Sequence, residues 1–381
     1  MAEPGPTRLR RVARSVALGL VALAAGLTLG ACSNLAYYGQ SVGGHLRLMA
    51  AAQPVEQLLL DAQTPAPLRE RLALSQRMRD FASAQLLLPD NASYRRYADL
   101  KRRAVVWNVV ATPALSLRPV QWCFWVAGCV SYRGYFAEAD AHAFAGDLRA
   151  QGLDAQVFAV PAYSTLGWLN WAGGDPLLNT FLYYPEGELA RLLFHELAHQ
   201  VTYASDDSAF NESFATFVER EGAARWLLQS SDRARADHAA HARRRAEFRG
   251  LLRETRRELL ALYGESARSL DDEPDLADGR PATAVDPARL RAKQEILQRF
   301  RQRHAVLRSG WGGYAGYDLW VEQAGNPLFV TDDLYESLVP GFAALFEREA
   351  RDWQRFYDAV RALQTLPRAE RRQRLRQLAP P

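Results

Sequence analysis

The chain has 381 residues, 48% of them apolar and 24% charged, with a formal net charge of +4. This composition can bury one large core or two ordinary ones and excludes a disordered or fibrous chain. The first 31 residues hold four arginines and one glutamate, so the remainder has 43 basic and 42 acidic residues, about +1, which gives no case for nucleic-acid binding.

That first segment reads as a signal peptide. Arg8, Arg10, Arg11 and Arg14 form a basic start, and Val16 to Leu29 is an apolar run. Leu29-Gly30-Ala31-Cys32 then fits the lipobox of bacterial lipoproteins, in which the Cys32 thiol takes the lipid. Residues 1–31 are therefore expected to be removed. The rest is expected to be a lipid-anchored envelope protein held at the membrane through Cys32. Ser33, rather than Asp, after the cysteine points to the outer membrane, facing the periplasm.

Residues 32–103 are expected to be mostly helical. Tyr38 to Leu60 and Pro67 to Leu87 have apolar residues at helical spacing, and Tyr94 to Arg103 reads as a short charged helix after the Pro89-Asp90-Asn91 turn. The pattern changes in residues 104–230, the expected catalytic core. Ala104 to Ala111 is rich in β-branched and aromatic residues, a strand signature. Gln121 to Tyr132 also reads as β and contains Cys123 and Cys129, a pair six apart that an oxidising compartment would join. Ala137 to Gln151 is an amphipathic helix stopped by Gly152, and Ala155 to Val160 is a further strand. Trp168 and Trp171, before the Gly173-Gly174 loop, suit aromatic core packing or the cap of a cleft. Leu178 to Tyr184 reads as a strand, placed to offer an edge to peptide backbone. Glu188 to Tyr203 and Asn211 to Gln229 are two helices joined by a six-residue link.

Residues 231–381 are expected to be largely helical. Asp232 to Tyr263, Pro287 to Arg308 and two helices within Leu334 to Leu363 are separated by an acidic, proline-bearing loop and a Gly/aromatic loop. His238 and His241 fall on a charged helix and read as a solvated face.

The chemistry sits on the two central helices. Phe194-His-Glu-Leu-Ala-His-Gln200 places His195 and His199 four apart, on one helix face, where both imidazoles can reach one metal ion. Glu196 lies roughly 100° around the helix, where it can reach a metal-bound water without displacing it. Two ligands plus a general base is the logic of His-Glu-x-x-His, and the metal expected is zinc. With seven histidines in the chain, the pattern arises by chance in roughly one such chain in a hundred.

A catalytic zinc wants a third protein ligand and an open position. Glu212 and Glu219 on the next helix are the candidates. The interval from His199 to Glu219 resembles that of the common glutamate-ligand zinc peptidases, whereas the local Asn211-Glu212-x-x-Ala215 pattern resembles the signature around their third ligand; that resemblance favours Glu212 and leaves Glu219 to orient a ligand histidine.

Phe194 to Gln200 with Phe210 to Gly222 resembles a family of predicted bacterial lipoprotein aminopeptidases, as do Tyr132 to Phe136, Ala162 to Trp168 and Asp175 to Thr180. The resemblance implies an α+β fold of the zincin-like metallopeptidase type, with a small mixed sheet and an active-site helix pair. It implies a peptide substrate, and a tyrosine after the ligand glutamate, here Tyr335, as a transition-state donor. An endopeptidase acting on envelope proteins and an inactive zinc-binding assembly lipoprotein are the competing readings. An intact Glu196 argues against the second, and a free-amine anchor among Asp175, Glu186 and Glu188 would argue against the first.

Overall fold

The computed structural model describes residues 37–124, 128–162, 173–266, 276–277, 286–330 and 337–379. The signal segment with Cys32, the Trp168 and Trp171 segment, most of the acidic loop and Tyr335 lie outside the described residues. The chain divides into two compact units, Met1–Ala50 and Ala51–Pro381. In the first, residues 37–50 are helical, the start of a helix that ends at residue 51. No helix among the described residues is long and apolar enough to cross a membrane.

The second unit is α+β, dominated by helices, with three small sheets. Its first long helix is α1 (Ala66–Leu86), which starts beside Pro65 and Pro67, where a missing N–H costs nothing. Next comes β1 (Val106–Pro113), the centre of a three-stranded antiparallel sheet between β4 (Arg133–Tyr135) and β5 (Leu153–Val160). The register runs from Val106 opposite Val160 to Pro113 opposite Leu153. Buried on both faces, β1 reads as an apolar run rather than an alternation. Between them, β2 (Val120–Phe124) and β3 (Gly128–Val130) form a hairpin in which Cys123 faces and is bonded to Cys129. Helix α2 (Glu138–Ala150) lays Ala141, Ala145 and Leu148 on β1 and β5, and Gly152, at φ 83°, turns the chain into β5.

Helices α3 (Glu186–Ala198) and α4 (Ser208–Leu227) form the centre of this unit. α4 is buried on nearly every face. Phe210, Phe214 and Phe217 stack into Phe342 and Phe346 of α7 (Val339–Arg348) and Phe356 and Tyr357 of α8 (Trp353–Gln364). α1 packs on the other side, through Phe81 against Phe194 and Trp226. The long α5 (Asp232–Tyr263) pairs with α6 (Pro287–Gly310) around Phe248, Leu252, Leu297 and Phe300. Lys293 of α6 ties this pair to the sheet, 2.6 Å from Asp154 of β5, and Asn326 donates to the carbonyls of Pro113, Ala114 and Ser116. The last helix is α9 (Arg368–Leu378). These contacts cross residues 103 and 230, so the expected helical flanks pack directly on the expected core.

Three expectations are corrected. The Tyr38–Leu60 helix is broken: residues 37–51 are helical, Gln53–Pro54 is extended, and a short helix, Val55–Leu60, follows. Pro54 cannot continue a helical ladder, since it has no N–H. Tyr94 to Arg103 is not a helix. Tyr94 and Lys101 have φ of 63° and 50°, and Arg96–Ala98 pairs with Gln53–Pro54 and Leu177–Leu178. Leu178 to Tyr184 is not a strand beyond its first residue. Asn179–Leu182 is a helical turn, because the Asn179 side chain takes the Leu100 N–H and donates to the Arg102 carbonyl, while Arg71 donates to the carbonyl of Leu182.

The α3–α4 packing depends on Gly222. A Cβ there would lie 2.7 Å from Leu86 Cδ1 and 2.9 Å from Phe194 Cδ2, both buried. Gly222→Ala is expected to cost about 1–3 kcal/mol, read as a lower denaturant midpoint at unchanged m-value.

Candidate metal centre

α3 delivers its two histidines at the last turn. His199 is the cap residue yet keeps helical angles, φ −58° and ψ −20°, so the four-residue relation to His195 holds. The rings sit edge to face with their Nε2 atoms 3.1 Å apart. Glu212 points at the same spot from the first turns of α4. Its Oε2 is 3.3 Å from His195 Nε2 and 3.7 Å from His199 Nε2.

The link between the helices sets that position. Asn211 both accepts from the Ala204 N–H and donates to the Ala204 carbonyl, at 2.8 Å each, pinning the loop to the helix start. Asp207 caps α4 by accepting from Phe210 N. Its fully buried carboxylate is held by Arg371 and Arg372 of α9, at 2.7–3.1 Å. The C-terminal helix therefore fixes where Glu212 begins.

Glu219 lies on the other side of the His195 ring. Its Oε2 is 3.1 Å from His195 Nδ1, and its Oε1 pairs with Arg191. A carboxylate at Nδ1 calls for a ring proton there, so Nε2, on the side of Glu212 and His199, is the nitrogen that can give up its proton to bind a metal. The structure thus brings His195, His199 and Glu212 together and sets Glu219 behind them, between His195 and Arg191.

The three atoms suit a metal. Ligand bonds of about 2.0–2.1 Å at tetrahedral angles separate their ligand atoms by about 3.3 Å, and the observed separations are 3.1, 3.3 and 3.7 Å. Among the described residues, His195, His199 and Glu212 are the group with this property. Two imidazoles and one carboxylate with a side left open is a donor set that zinc takes in hydrolytic sites.

Electrostatics separates the roles. Burial pushes the Glu196 carboxyl up to about 7; nearby His195 pulls it down, and Glu212, Asp175 and Glu219 push it up. Burial likewise lowers His199 to about 4, so its ring is neutral at pH 7. For His195, burial opposes the cation, but hydrogen bonds to Glu212 and Glu219 override it and raise the pKa well above its ordinary value. Burial would raise Glu219, yet Arg191 and His195 hold it at about 2.

A cavity of about 330 Å³ opens beside His195 and Glu196, lined also by Val160, Pro161, Tyr184, Thr216, Arg245 and Arg249. A family model described as "Putative aminopeptidase" matches residues 36–375. The chain belongs to that family. The match takes in α1 through α8 and most of α9, so the family unit is the whole packed body rather than the two central helices. Membership supports a peptidase-like role. No curated protein and no solved structure matches the chain.

Of the acidic residues considered as amine anchors, Glu186 accepts from Trp226 Nε1 and Ser230 Oγ. Glu188 is forked by Arg245 at 2.9 and 3.0 Å and lies 3.3 Å from His238 Nδ1. Asp175 is buried, with its backbone bonded to Tyr94 and Ser93. His238 is therefore not on a solvated face. α5 crosses α3 so closely at Gly187 that a Cβ there would meet the His238 ring at 2.6 Å. Sequence reasoning missed Arg191, which sits one helical turn before His195 on α3. It also missed Tyr94, whose phenol is buried and pushed up in pKa first by that burial and then by Glu196. The left-handed backbone of Tyr94 carries no sequence signal, whereas Arg191 at i−4 from the candidate ligand His195 could have been found.

Burial would raise the Glu188 carboxyl, but His238, Arg245 and Arg191 together hold it far below its ordinary value. A depressed carboxylate stabilises the fold above its unfolded pKa of about 4.3 and loses that contribution as pH falls toward the folded value. Glu188→Gln is expected to destabilise by about 3 kcal/mol at pH 7. In denaturant titrations at pH 7, 5 and 3.5, the gap to wild type should stay constant down to about pH 5 and then shrink.

Proposed function

We propose that this chain is a zinc-dependent peptidase of the zincin-like type and an aminopeptidase, with His195, His199 and Glu212 as ligands and Glu196 as general base. The observation that carries the reading is the convergence of the His195 and His199 Nε2 atoms with Glu212 Oε2, where His195 and the adjacent Glu196 line one cavity. Zinc in this set would polarise a scissile carbonyl and lower the pKa of a water. Glu196, with a pKa of about 7, takes the proton of the attacking water and hands it to the leaving amine nitrogen. Glu219 and Arg191 hold the His195 ring and its tautomer.

The substrate backbone is proposed to run along β5. This strand is an edge of its sheet, and Val160 and Pro161 at its end line the cavity with His195 and Glu196. It takes the part that Leu178 to Tyr184, a helical turn, cannot. The envelope location through a lipid at Cys32 is likewise a proposal; the Cys123–Cys129 disulfide supports an oxidising compartment.

The family description supports exopeptidase action. One observation favours an endopeptidase: Glu186 and Glu188 are both engaged by protein donors, so neither is open to a substrate ammonium. Zinc-loaded protein tested on peptides with free and acetylated N-termini decides between them. Cleavage confined to free N-termini is expected, and equal cleavage of acetylated peptides would replace the aminopeptidase with an endopeptidase. Glu196→Gln is expected to lower kcat by about 10²–10⁴-fold with one zinc still bound per chain. Full turnover in that variant would remove Glu196 as the base.

A further inference from the structure

The ion pairs behind His195 do not stop at Arg191. Glu188, Arg191 and His195 stand on successive turns of α3, three and four residues apart, so their side chains follow one face. Arg191 lies between two carboxylates. It pairs with Glu219 of α4 through Nη2, and its Nη1 is 3.6 Å from Glu188 Oε2. Glu188 is in turn forked by Arg245 of α5 at 2.9 and 3.0 Å, with His238 Nδ1 3.3 Å away. His238 and Arg245, seven apart, face α3 together. A continuous row of charges therefore runs from His195 through Glu219, Arg191 and Glu188 to Arg245, across three helices.

Within this row Glu188 competes with Glu219 for one guanidinium. It sits three residues before Arg191 on the same helix, a spacing at which Glu and Arg pair. Both carboxylates are mostly buried, so each needs a cation at close range. Arg191 is not locked in place: its Nε has no hydrogen-bond partner among the described residues. An approach of about 0.6 Å would turn its 3.6 Å separation from Glu188 into a hydrogen bond. A Glu188 without its own cation would draw Arg191 over. Glu219 would then lose the partner that holds its Oε1, and with it the orientation of Oε2 against His195 Nδ1. The paired donors of Arg245 occupy both oxygens of Glu188 and so leave Arg191 to Glu219.

We propose that Arg245 is a positioning residue of the metal centre: by occupying Glu188 it keeps Arg191 on Glu219, and so keeps His195 aimed at the metal. The proposal rests on the metal-site reading and gives a part in it to α5, a helix that carries no ligand.

The test is a double-mutant cycle in the full chain. Metal-free wild type, Arg245→Gln, Glu188→Gln and the double variant are titrated with zinc against a chelating indicator at pH 7, with circular dichroism confirming each fold. Arg245→Gln is expected to weaken zinc binding by about 10-fold. Glu188→Gln removes the competitor, so its affinity should stay within about twofold of wild type although its fold is less stable. The double variant removes the competitor together with its partner and should return to within about twofold of wild type. A merely structural role for Arg245 gives no such rescue. Arg245→Lys keeps the charge but loses the fork, and a loss of about threefold is expected; it replaces Arg245→Gln if that variant does not fold. Crystal structures of metal-free Arg245→Gln and of the double variant read the same switch without zinc, with Arg191 on Glu188 in the first and on Glu219 in the second. Failure of wild type to bind zinc would sink the metal reading, while these structures still decide the part played by Arg245. Wild-type affinity in Arg245→Gln, or in Arg245→Lys where only that variant folds, overturns the proposal, as does a double variant no tighter than Arg245→Gln.

Discussion

His195, Glu212, Glu219 and Arg191 meet in the mostly buried interface between α3 and α4, and the rest of the structure is arranged around the cost of keeping them there. Charges taken out of water lose several kcal/mol of hydration each, which only close partners offset. Here each has one: Glu219 bridges His195 and Arg191, and Glu212 faces both histidines. The cluster is uneven by design of its neighbours. Arg191 keeps Glu219 ionised, while Glu196, next in sequence to His195 but with no cation at hydrogen-bond distance among the described residues, is pushed toward the neutral range. Two carboxylates that line the same cavity thus acquire different chemistry from their surroundings alone.

Holding that interface rigid falls to groups remote in sequence. Asp207 would be an unsupportable buried charge without Arg371 and Arg372, some 160 residues later. The aromatic cluster of Phe214, Phe217, Phe346 and Phe356 fastens α7 and α8 onto α4. Gln200, just past the last histidine, bonds to Asn91 and Ser93, which ties the end of α3 to the loop that carries Tyr94. A family match running to residue 375 is understandable on this basis, because the helices after residue 230 hold up the site.

Much of this was legible before the structure. The spacing of His195 and His199, the flanking Leu193 and Leu197, and the Asn211-Glu212 pair pointed to two facing helices. β1 and β5 followed from β-branched composition, and α5 from its unbroken charged periodicity. What escaped was what local pattern does not encode. Tyr94 to Arg103 has helical composition, but Tyr94 is locked in a left-handed conformation by its bond to Asp175. Leu178 to Tyr184 has strand composition, but Asn179 captures the neighbouring backbone. His238 looked solvated because Gly187, which lets α5 approach, is 51 positions away.

The assignment of the metal ligands is the step on which the chemistry depends, and zinc affinity tests it most directly. Metal-free wild type, Glu212→Ala and Glu219→Ala are titrated with zinc against a chelating indicator, with circular dichroism confirming the fold of each. Wild type is expected to bind one zinc per chain. Glu219→Ala should weaken binding by about 10–100-fold, as for a residue that orients a ligand, and Glu212→Ala by far more. Equal affinity of Glu212→Ala and wild type, or a greater loss in Glu219→Ala than in Glu212→Ala, would contradict the site described.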